Sequence, residues 1–179
     1  MYKEYPIMKK ANSHTVLSLA RGGLIAALYA AATLVAYPIS FGAVQFRISE
    51  ALCVLPMLFP EAVPALFVGC VVSGFFSPNA IVLDAALGSL ATLAAAALTR
   101  RLRRKPVLAV IPPVLINAVV VGAVIAYSVT GIGAGFGASF LYNMLTVGAG
   151  QVVSCCALGL PLYRVLKSSG LSFLNGNTK

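Results

Sequence analysis

Between Gly22 and Thr99 the chain carries only four charged side chains, which are Arg47, Glu50, Glu61 and Asp84. Over the whole sequence 60% of the residues are hydrophobic and 9% are charged, whereas a soluble domain carries roughly 25% charged residues. One membrane-spanning helix needs about 20 apolar residues. We therefore predict an all-α membrane protein, a bundle of about six transmembrane helices with no soluble domain.

The predicted transmembrane helices lie at about 19–38, 49–59, 61–77, 80–99, 106–127 and 139–163, and prolines mark most of their boundaries. They would form a membrane domain at about residues 19–165, between a cytoplasmic N-terminal segment at 1–18 and a cytoplasmic tail at 166–179. The second helix is short for lipid. We expect it to tilt, or to be partly enclosed by the connection at about 39–49 that precedes it.

The basic residues predict the orientation of the bundle. Five of them lie between the fourth and fifth predicted helices, at positions 100, 101, 103, 104 and 105, and the positive-inside rule places them in the cytoplasm. Six helices then place both termini in the cytoplasm. Every basic residue except Arg47 falls on that side, so we assign the net charge of +9 to membrane topology and not to nucleic-acid binding.

Polar side chains inside the apolar runs are the candidates for a binding site, because ionisable groups in membrane helices cost several kcal/mol unless they are paired or face a polar cavity. Arg47 and Glu50 could form a local salt bridge on a helix. Their grouping with other polar residues of the middle or outer half favours a pocket for a small planar heterocycle. These other residues are Gln45, Asp84, Asn117, Asn143 and Gln151.

Structural explanations stay open for some of these polar residues. The amide of Asn117 could bond helix to helix, and Asp84 could lie in the first turn of its helix. For Glu61 we favour a structural role, because a carboxylate in the first turn of a helix is stabilised by the helix dipole.

The first predicted helix carries two rows of small residues with a spacing of four. One row is Gly22, Ala26 and Ala30, and the other is Gly23, Ala27 and Ala31. Such rows let helices approach closely. They predict a docking surface for a different subunit, with packing inside the bundle as the alternative.

The remaining motifs argue against an enzyme. Cys53, Cys70, Cys155 and Cys156 form no CxxC pair and lie within apolar runs, so we expect buried, unpaired thiols and no metal or cofactor. His14 is the only histidine and lies in the polar N-terminal segment, which leaves no nucleophile–base pair inside the membrane. The sequence also contains no GxxxxGK[ST] phosphate loop, so the energy for any transport would come from elsewhere.

Several segments resemble the queuosine-precursor transporter family, QueT, whose members are substrate-binding S-components of energy-coupling factor (ECF) transporters. These segments are LIAALYAA, FPEAVPALFVGC, LDAALGSLATL, PPVLINA and, as the most specific, QFRISEAL. The resemblance implies an S-component with six helices in the plasma membrane of a prokaryote. It also implies capture of a 7-deazaguanine-type base, such as the cyano base, the aminomethyl base or queuine. A transmembrane coupling subunit and two ATPase subunits would be the partners, docked on the small residues of the first helix.

The resemblance also implies roles for the polar residues. Glu50 would accept from the guanine-like edge, Arg47 would contact the carbonyl oxygen or hold a lid, and Asn143 and Gln151 would supply amide contacts. One position departs from the family, which carries a glutamate where this chain has Gln151 in TVGAGQVV. An amide donates as well as accepts, so the identity of the base stays open. The alternative function is a stand-alone secondary transporter, against which the lack of an intramembrane carboxylate relay argues.

Overall fold

The computed structural model describes residues 13–40, 46–76 and 82–169 and, within them, all side chains except those of residues 13–14 and 82–84. The described residues contain no β-strand. The helices are α1 (Ser13–Val35), α2 (Tyr37–Ser40), a 3₁₀ helix (Ile48–Met57), α3 (Ala62–Gly74), α4 (Val82–Arg101), α5 (Pro106–Ala109), α6 (Ile111–Thr130), α7 (Phe136–Val152), a π segment (Val153–Gly159) and α8 (Leu160–Ser168). The all-α prediction is confirmed for this part of the chain.

Three segments of the described chain are long and apolar enough to cross a membrane, namely Thr15–Val35, Pro106–Thr130 and Phe136–Ser168. Helix also lies within each of the other predicted spans. The 3₁₀ helix has 10 residues and α3 has 13. Each is therefore about 20 Å long, against about 30 Å for the hydrocarbon core of a bilayer. Helix length thus supports a helical membrane protein, and the count of six crossings stays a prediction.

The 3₁₀ helix lies in the interior of the bundle. It contacts α1, α3, α4 and the π segment, and of its ten residues only Ile48 and Leu52 are not buried. Around it, α1 packs on α3, α3 on α4, α4 on α6, and α6 on α7. We expected this short element to tilt or to be partly enclosed by the preceding connection, and residues 41–45 of that connection lie outside the described residues. Among the described residues other helices enclose it, and this makes non-α backbone tolerable at membrane depth.

Glycines permit three of the close helix crossings. A Cβ at Gly69 of α3 would lie 2.8 Å from the carbonyl oxygen of Ala26 in α1. A Cβ at Gly122 of α6 would lie 2.9 Å from the backbone of α7, and one at Gly159 would lie 2.8 Å from Val54 in the 3₁₀ helix. Real Cβ atoms do not approach so closely. Backbone therefore packs on backbone at Gly69 and Gly122, as is usual for helices in membranes, and the Val54 side chain packs on the backbone at Gly159.

Ionic groups stabilise the end of the bundle at which the 3₁₀ helix terminates. The guanidinium of Arg100 donates from Nη1 to the carbonyl oxygens of Pro56 (3.0 Å) and Met57 (3.3 Å). The Nη1 atom of Arg21 lies 3.5 Å from Oε1 of Glu61, the residue that precedes α3. Glu61 therefore has a structural ion pair. Arg100, which the sequence marked only as a topology signal, also satisfies carbonyl groups at a helix end.

Candidate functional site

Glu50 is the centre of the polar interior, and its side chain has no exposed surface. The Tyr29 hydroxyl donates to Oε1 (2.6 Å), while the Cys53 thiol (2.8 Å) and the Asn117 amide nitrogen (3.3 Å) donate to Oε2. A buried carboxylate costs several kcal/mol unless it is hydrogen-bonded. Three donors, from α1, the 3₁₀ helix and α6, offset that cost. We name this cluster of Tyr29, Glu50, Cys53 and Asn117 the Glu50 centre.

The local helix geometry explains part of this arrangement. In a 3₁₀ helix the side chains at positions i and i+3 lie above one another, which brings the Cys53 thiol onto the Glu50 carboxylate. Runs of 3₁₀ helix longer than three or four residues are uncommon and often mark a functional segment. This helix has ten residues, and Glu50 lies in its first turn.

The π segment also contacts Glu50, through Cys155. The Cys155 thiol lies 3.6 Å from both the backbone oxygen of Glu50 and Oε1 of Gln151, close enough for weak hydrogen bonds. Gln151 is 3% exposed, so its amide is inside the bundle. Since π segments are also frequent at functional sites, two departures from α-helical geometry meet at Glu50.

Arg47, like Glu50, is buried in the bundle. It directly precedes the 3₁₀ helix, its backbone oxygen accepts from the Glu50 N–H (3.1 Å), and it is 8% exposed. The structure therefore brings together four of the predicted site residues, namely Arg47, Glu50, Asn117 and Gln151.

Asn117 carries the clearest sign that the Glu50 centre is incomplete as a hydrogen-bonding network. Its side chain is 1% exposed, and its Oδ1 atom is buried without a hydrogen-bond partner. An unsatisfied buried acceptor costs about 1 to 3 kcal/mol. The Oγ atom of Ser154, the residue before Cys155, is also buried without a hydrogen-bond partner. The centre can thus accept hydrogen bonds from a molecule that presents N–H or O–H groups.

Asn143 is not joined to the Glu50 centre by a hydrogen bond in the described structure. It is half-buried, and its Nδ2 atom donates to the backbone oxygen (2.7 Å) and hydroxyl (3.2 Å) of Ser139, one turn earlier in α7. Farther along the same face, Val147, Gly150 and Gln151 are buried, as the predicted helical spacing requires.

For two of the predicted site residues the side chain is not described, and one of them lies wholly outside the described residues. Gln45 is that one, and for Asp84 only the backbone position within α4 is described. Their proposed contacts with a ligand stay predictions.

The two small-residue rows of α1 differ in exposure. Gly22, Ala26 and Ala30 are half-buried toward α3, whereas Gly23, Ala27 and Ala31 are exposed. Gly22 and Ala26 of the first row lie against α3, and the second row lies on the surface. Docking of a different subunit on these rows stays a prediction. A groove of about 840 Å³ lies between α1 and α3, bordered by Gly22, Gly23, Ala26, Ala65 and Val68 among others. We call it the α1–α3 groove.

Sequence reasoning missed the contributions of α1 and of the cysteines to the Glu50 centre. The cysteines are unpaired as predicted, and Cys53, Cys70 and Cys155 are buried, but Cys53 and Cys155 also contact Glu50. Tyr29 and Thr33 are both buried, and their spacing of four along α1 was the available signal. Two hydroxyls on one face of an otherwise apolar helix indicate a polar partner on another helix.

A family model described as QueT transporter matches residues 19–168. No curated protein and no solved structure matches the chain. The matched region includes the whole of the Glu50 centre and the residues named above for the α1–α3 groove.

Proposed function

The chain belongs to the QueT transporter family, and we propose that it is the substrate-binding S-component of an ECF importer for a 7-deazaguanine-type precursor of queuosine. Membership makes it a membrane transporter and not an enzyme. The family is of the ECF S-component type, as the resemblance of QFRISEAL and the other segments implied.

The observation that carries the choice of ligand is the Glu50 centre. A guanine-like edge presents a ring N–H and an exocyclic amine side by side, and a carboxylate accepts from both. The unpartnered Oδ1 of Asn117 offers a further acceptor, while Arg47 and the Gln151 amide can donate to the carbonyl oxygen of the base. The buried site thus offers hydrogen-bond acceptors as well as donors, which suits a planar base that carries donors and acceptors along its edge.

A carboxylate has about four acceptor sites, and three side chains donate to Glu50 in this structure. A base that donates both its ring N–H and its amine to Glu50 must therefore replace a donor already present. Tyr29 and Cys53 are neutral donors, so their loss from the carboxylate leaves no uncompensated charge. We propose that the base approaches from the end of the bundle where the 3₁₀ helix begins. That end is the outer one if the basic cluster after α4 is cytoplasmic.

The partners in this proposal are a transmembrane coupling subunit and two ATPase subunits. The coupling subunit would dock on the exposed row Gly23, Ala27 and Ala31, where a close helix approach is sterically possible. The chain itself has no phosphate loop, which agrees with an external source of energy. Six crossings with both termini in the cytoplasm of a prokaryote complete the proposal.

Equilibrium binding to the purified chain in detergent tests the ligand. We expect the aminomethyl or cyano 7-deazaguanine base or queuine to bind, and adenine to bind at least about 100-fold more weakly, because its edge leaves the buried acceptors unsatisfied. Mass spectrometry of small molecules retained on the protein identifies which base is preferred. If none of the three bases binds better than adenine, the proposed substrate class is wrong.

Vesicles that contain only this chain test the alternative of a stand-alone secondary transporter. We expect no accumulation of the base, with or without a proton or sodium gradient, until the coupling and ATPase subunits and ATP are supplied. Uptake driven by an ion gradient alone would contradict the S-component proposal.

A further inference from the structure

Helix α1 carries a buried stripe that faces the Glu50 centre. Ile25, Tyr29 and Thr33 repeat every four residues and are 7%, 0% and 1% exposed. The Tyr29 hydroxyl donates to the Glu50 carboxylate (2.6 Å), and the Thr33 hydroxyl donates to Oγ of Ser49 (2.7 Å). Successive turns of α1 therefore bind successive residues of the 3₁₀ helix.

Tyr29 is held in place by α3 as well as by Glu50. A Cβ at Gly69 would lie 2.8 Å from Cβ and 3.2 Å from Cδ1 of Tyr29, so the ring packs directly on the glycine backbone. The same hypothetical atom would lie 2.8 Å from the carbonyl oxygen of Ala26, which borders the α1–α3 groove. Gly69 thus contacts both the tyrosine and a groove residue.

These contacts link the spacing between α1 and α3 to the hydrogen bond between Tyr29 and Glu50. Because the Tyr29 ring is fully buried and packs on Gly69 of α3, its hydroxyl oxygen cannot move away from the carboxylate unless α1 shifts against α3. The face of α1 opposite to Tyr29 carries the exposed row Gly23, Ala27 and Ala31, so a shift of α1 would also move that row.

We propose that Tyr29 is a positioning residue that couples the placement of α1 on α3 to ligand binding at Glu50. The inference rests on the proposed function, since it requires that the base binds Glu50 in place of the Tyr29 hydroxyl. Ligand binding then shifts α1 and alters the α1–α3 groove. By linkage, the ligand changes the affinity for a partner that shifts α1 by some factor, and that partner changes the affinity for the ligand by the same factor.

A reporter cysteine in the groove measures this coupling. Val68 borders the groove and is 48% exposed, so Val68→Cys can be alkylated by a maleimide in the purified full chain. The unsubstituted chain corrects for reaction at Cys156, the one native cysteine that is not buried. We expect the aminomethyl 7-deazaguanine base to change the alkylation rate of Val68→Cys by about 5-fold or more.

Tyr29→Phe is the decisive variant, and Thr33→Val is its matched control. Each removes one buried hydroxyl from the same face of α1, but only that of Tyr29 reaches the carboxylate. In Tyr29→Phe the base no longer competes with the hydroxyl, so we expect it to bind about 5-fold more tightly and to leave the alkylation rate unchanged. Thr33→Val should retain the ligand-dependent change.

Gly69→Ala gives a second measurement that does not depend on the Tyr29 variant. Its Cβ pushes α1 away from α3, and we expect the affinity for the base to change by about 5-fold or more. Gly148→Ala is the control, because its Cβ would lie 3.4 Å from Ala118 and cause only ordinary contact. The control should leave the affinity unchanged.

The outcomes separate the two proposals. If the parent binds the base but neither the alkylation rate nor the Gly69→Ala affinity changes, the coupling is wrong and the proposed function stands. Loss of the ligand-dependent change in Thr33→Val as well as in Tyr29→Phe would contradict a specific role for Tyr29. If the parent binds no 7-deazaguanine base, both the proposed function and the coupling fail.

Discussion

Asn117 and Asn143 lie on helices that pack directly on each other, α6 and α7, yet their surroundings differ. Asn117 is buried, donates to Glu50 across 67 positions of sequence and keeps an unpartnered oxygen. Asn143 is half-buried and bonds to Ser139, four residues away in its own helix. An amide in an apolar helix therefore indicates a binding site only where other helices bring partners to it.

The difference has a local physical cause. A side chain that bonds the carbonyl of the preceding turn satisfies itself within its own helix. Asn117 instead faces the 3₁₀ helix, whose buried carboxylate needs donors from outside its own element. The hydrogen bonds of Asn117 thus depend on the convergence of several helices, whereas the side-chain hydrogen bonds of Asn143 stay within one helix.

Glu50→Gln should have the largest effect, because its NH₂ replaces one carboxylate oxygen and so faces donors that need an acceptor, and because the substitution removes the charge that holds the base. We expect binding of the aminomethyl 7-deazaguanine base to weaken about 10- to 100-fold, as for the loss of a charged hydrogen bond. Thr99→Val is the control for a buried polar group, since the Thr99 hydroxyl bonds the backbone oxygen of Ala109 and not the centre. The control should bind within about 2-fold of the parent. Calorimetric titration in detergent measures both, and parental affinity in Glu50→Gln would remove Glu50 from the site.

Asn117→Ala and Asn143→Ala test the comparison directly. Loss of the Asn117 amide should weaken binding about 5- to 30-fold, because it removes the unpartnered acceptor that a donor of the base would use. Loss of the Asn143 amide should change binding by less than about 2-fold, because its hydrogen bonds stay within α7. The opposite order of effects would show that Asn143 belongs to the ligand site, as the family resemblance implied.

Gly159→Ala and Gly122→Ala disturb one region each. Their Cβ atoms would lie 2.8 Å from Val54 beside the Glu50 centre and 2.9 Å from the α7 backbone beside Asn143, respectively. Each should lower the free energy of unfolding by about 1 to 3 kcal/mol, the usual effect of overpacking. Only Gly159→Ala should also weaken binding of the base. Thermal unfolding and titration on the same samples separate the two effects, and equal losses of binding would contradict the separation of the regions.

Cys155→Ala should have the smallest effect on the Glu50 centre. Its thiol contacts at 3.6 Å are weak, so we expect affinity within about 3-fold of the parent and a loss of stability near 1 kcal/mol. Cys156→Ala, at the half-buried neighbour, should change neither quantity measurably. A loss of binding beyond about 10-fold in Cys155→Ala would make the thiol a ligand contact.

Much of the fold was predictable because lipid imposes simple rules on sequence. The apolar runs predicted the all-α class, and helix was found within each predicted span, since backbone groups in a membrane must bond within their own segment. The unpaired cysteines and the QueT resemblance are also confirmed. The 3₁₀ and π geometries were not predicted, because they depend on the packing of the second and sixth predicted helices against each other at Gly159.

The sequence by itself determined that this is a helical membrane protein of the QueT family with a few polar residues in apolar helices. Hydrophobicity and charge act on each residue separately, so a linear pattern can reveal them. Only the tertiary structure decided which polar residues meet. Tyr29 and Asn117 reach the Glu50 carboxylate from 21 and 67 positions away, and Asn143 does not. Such convergence depends on helix crossings that glycines and buried hydrogen bonds set in three dimensions.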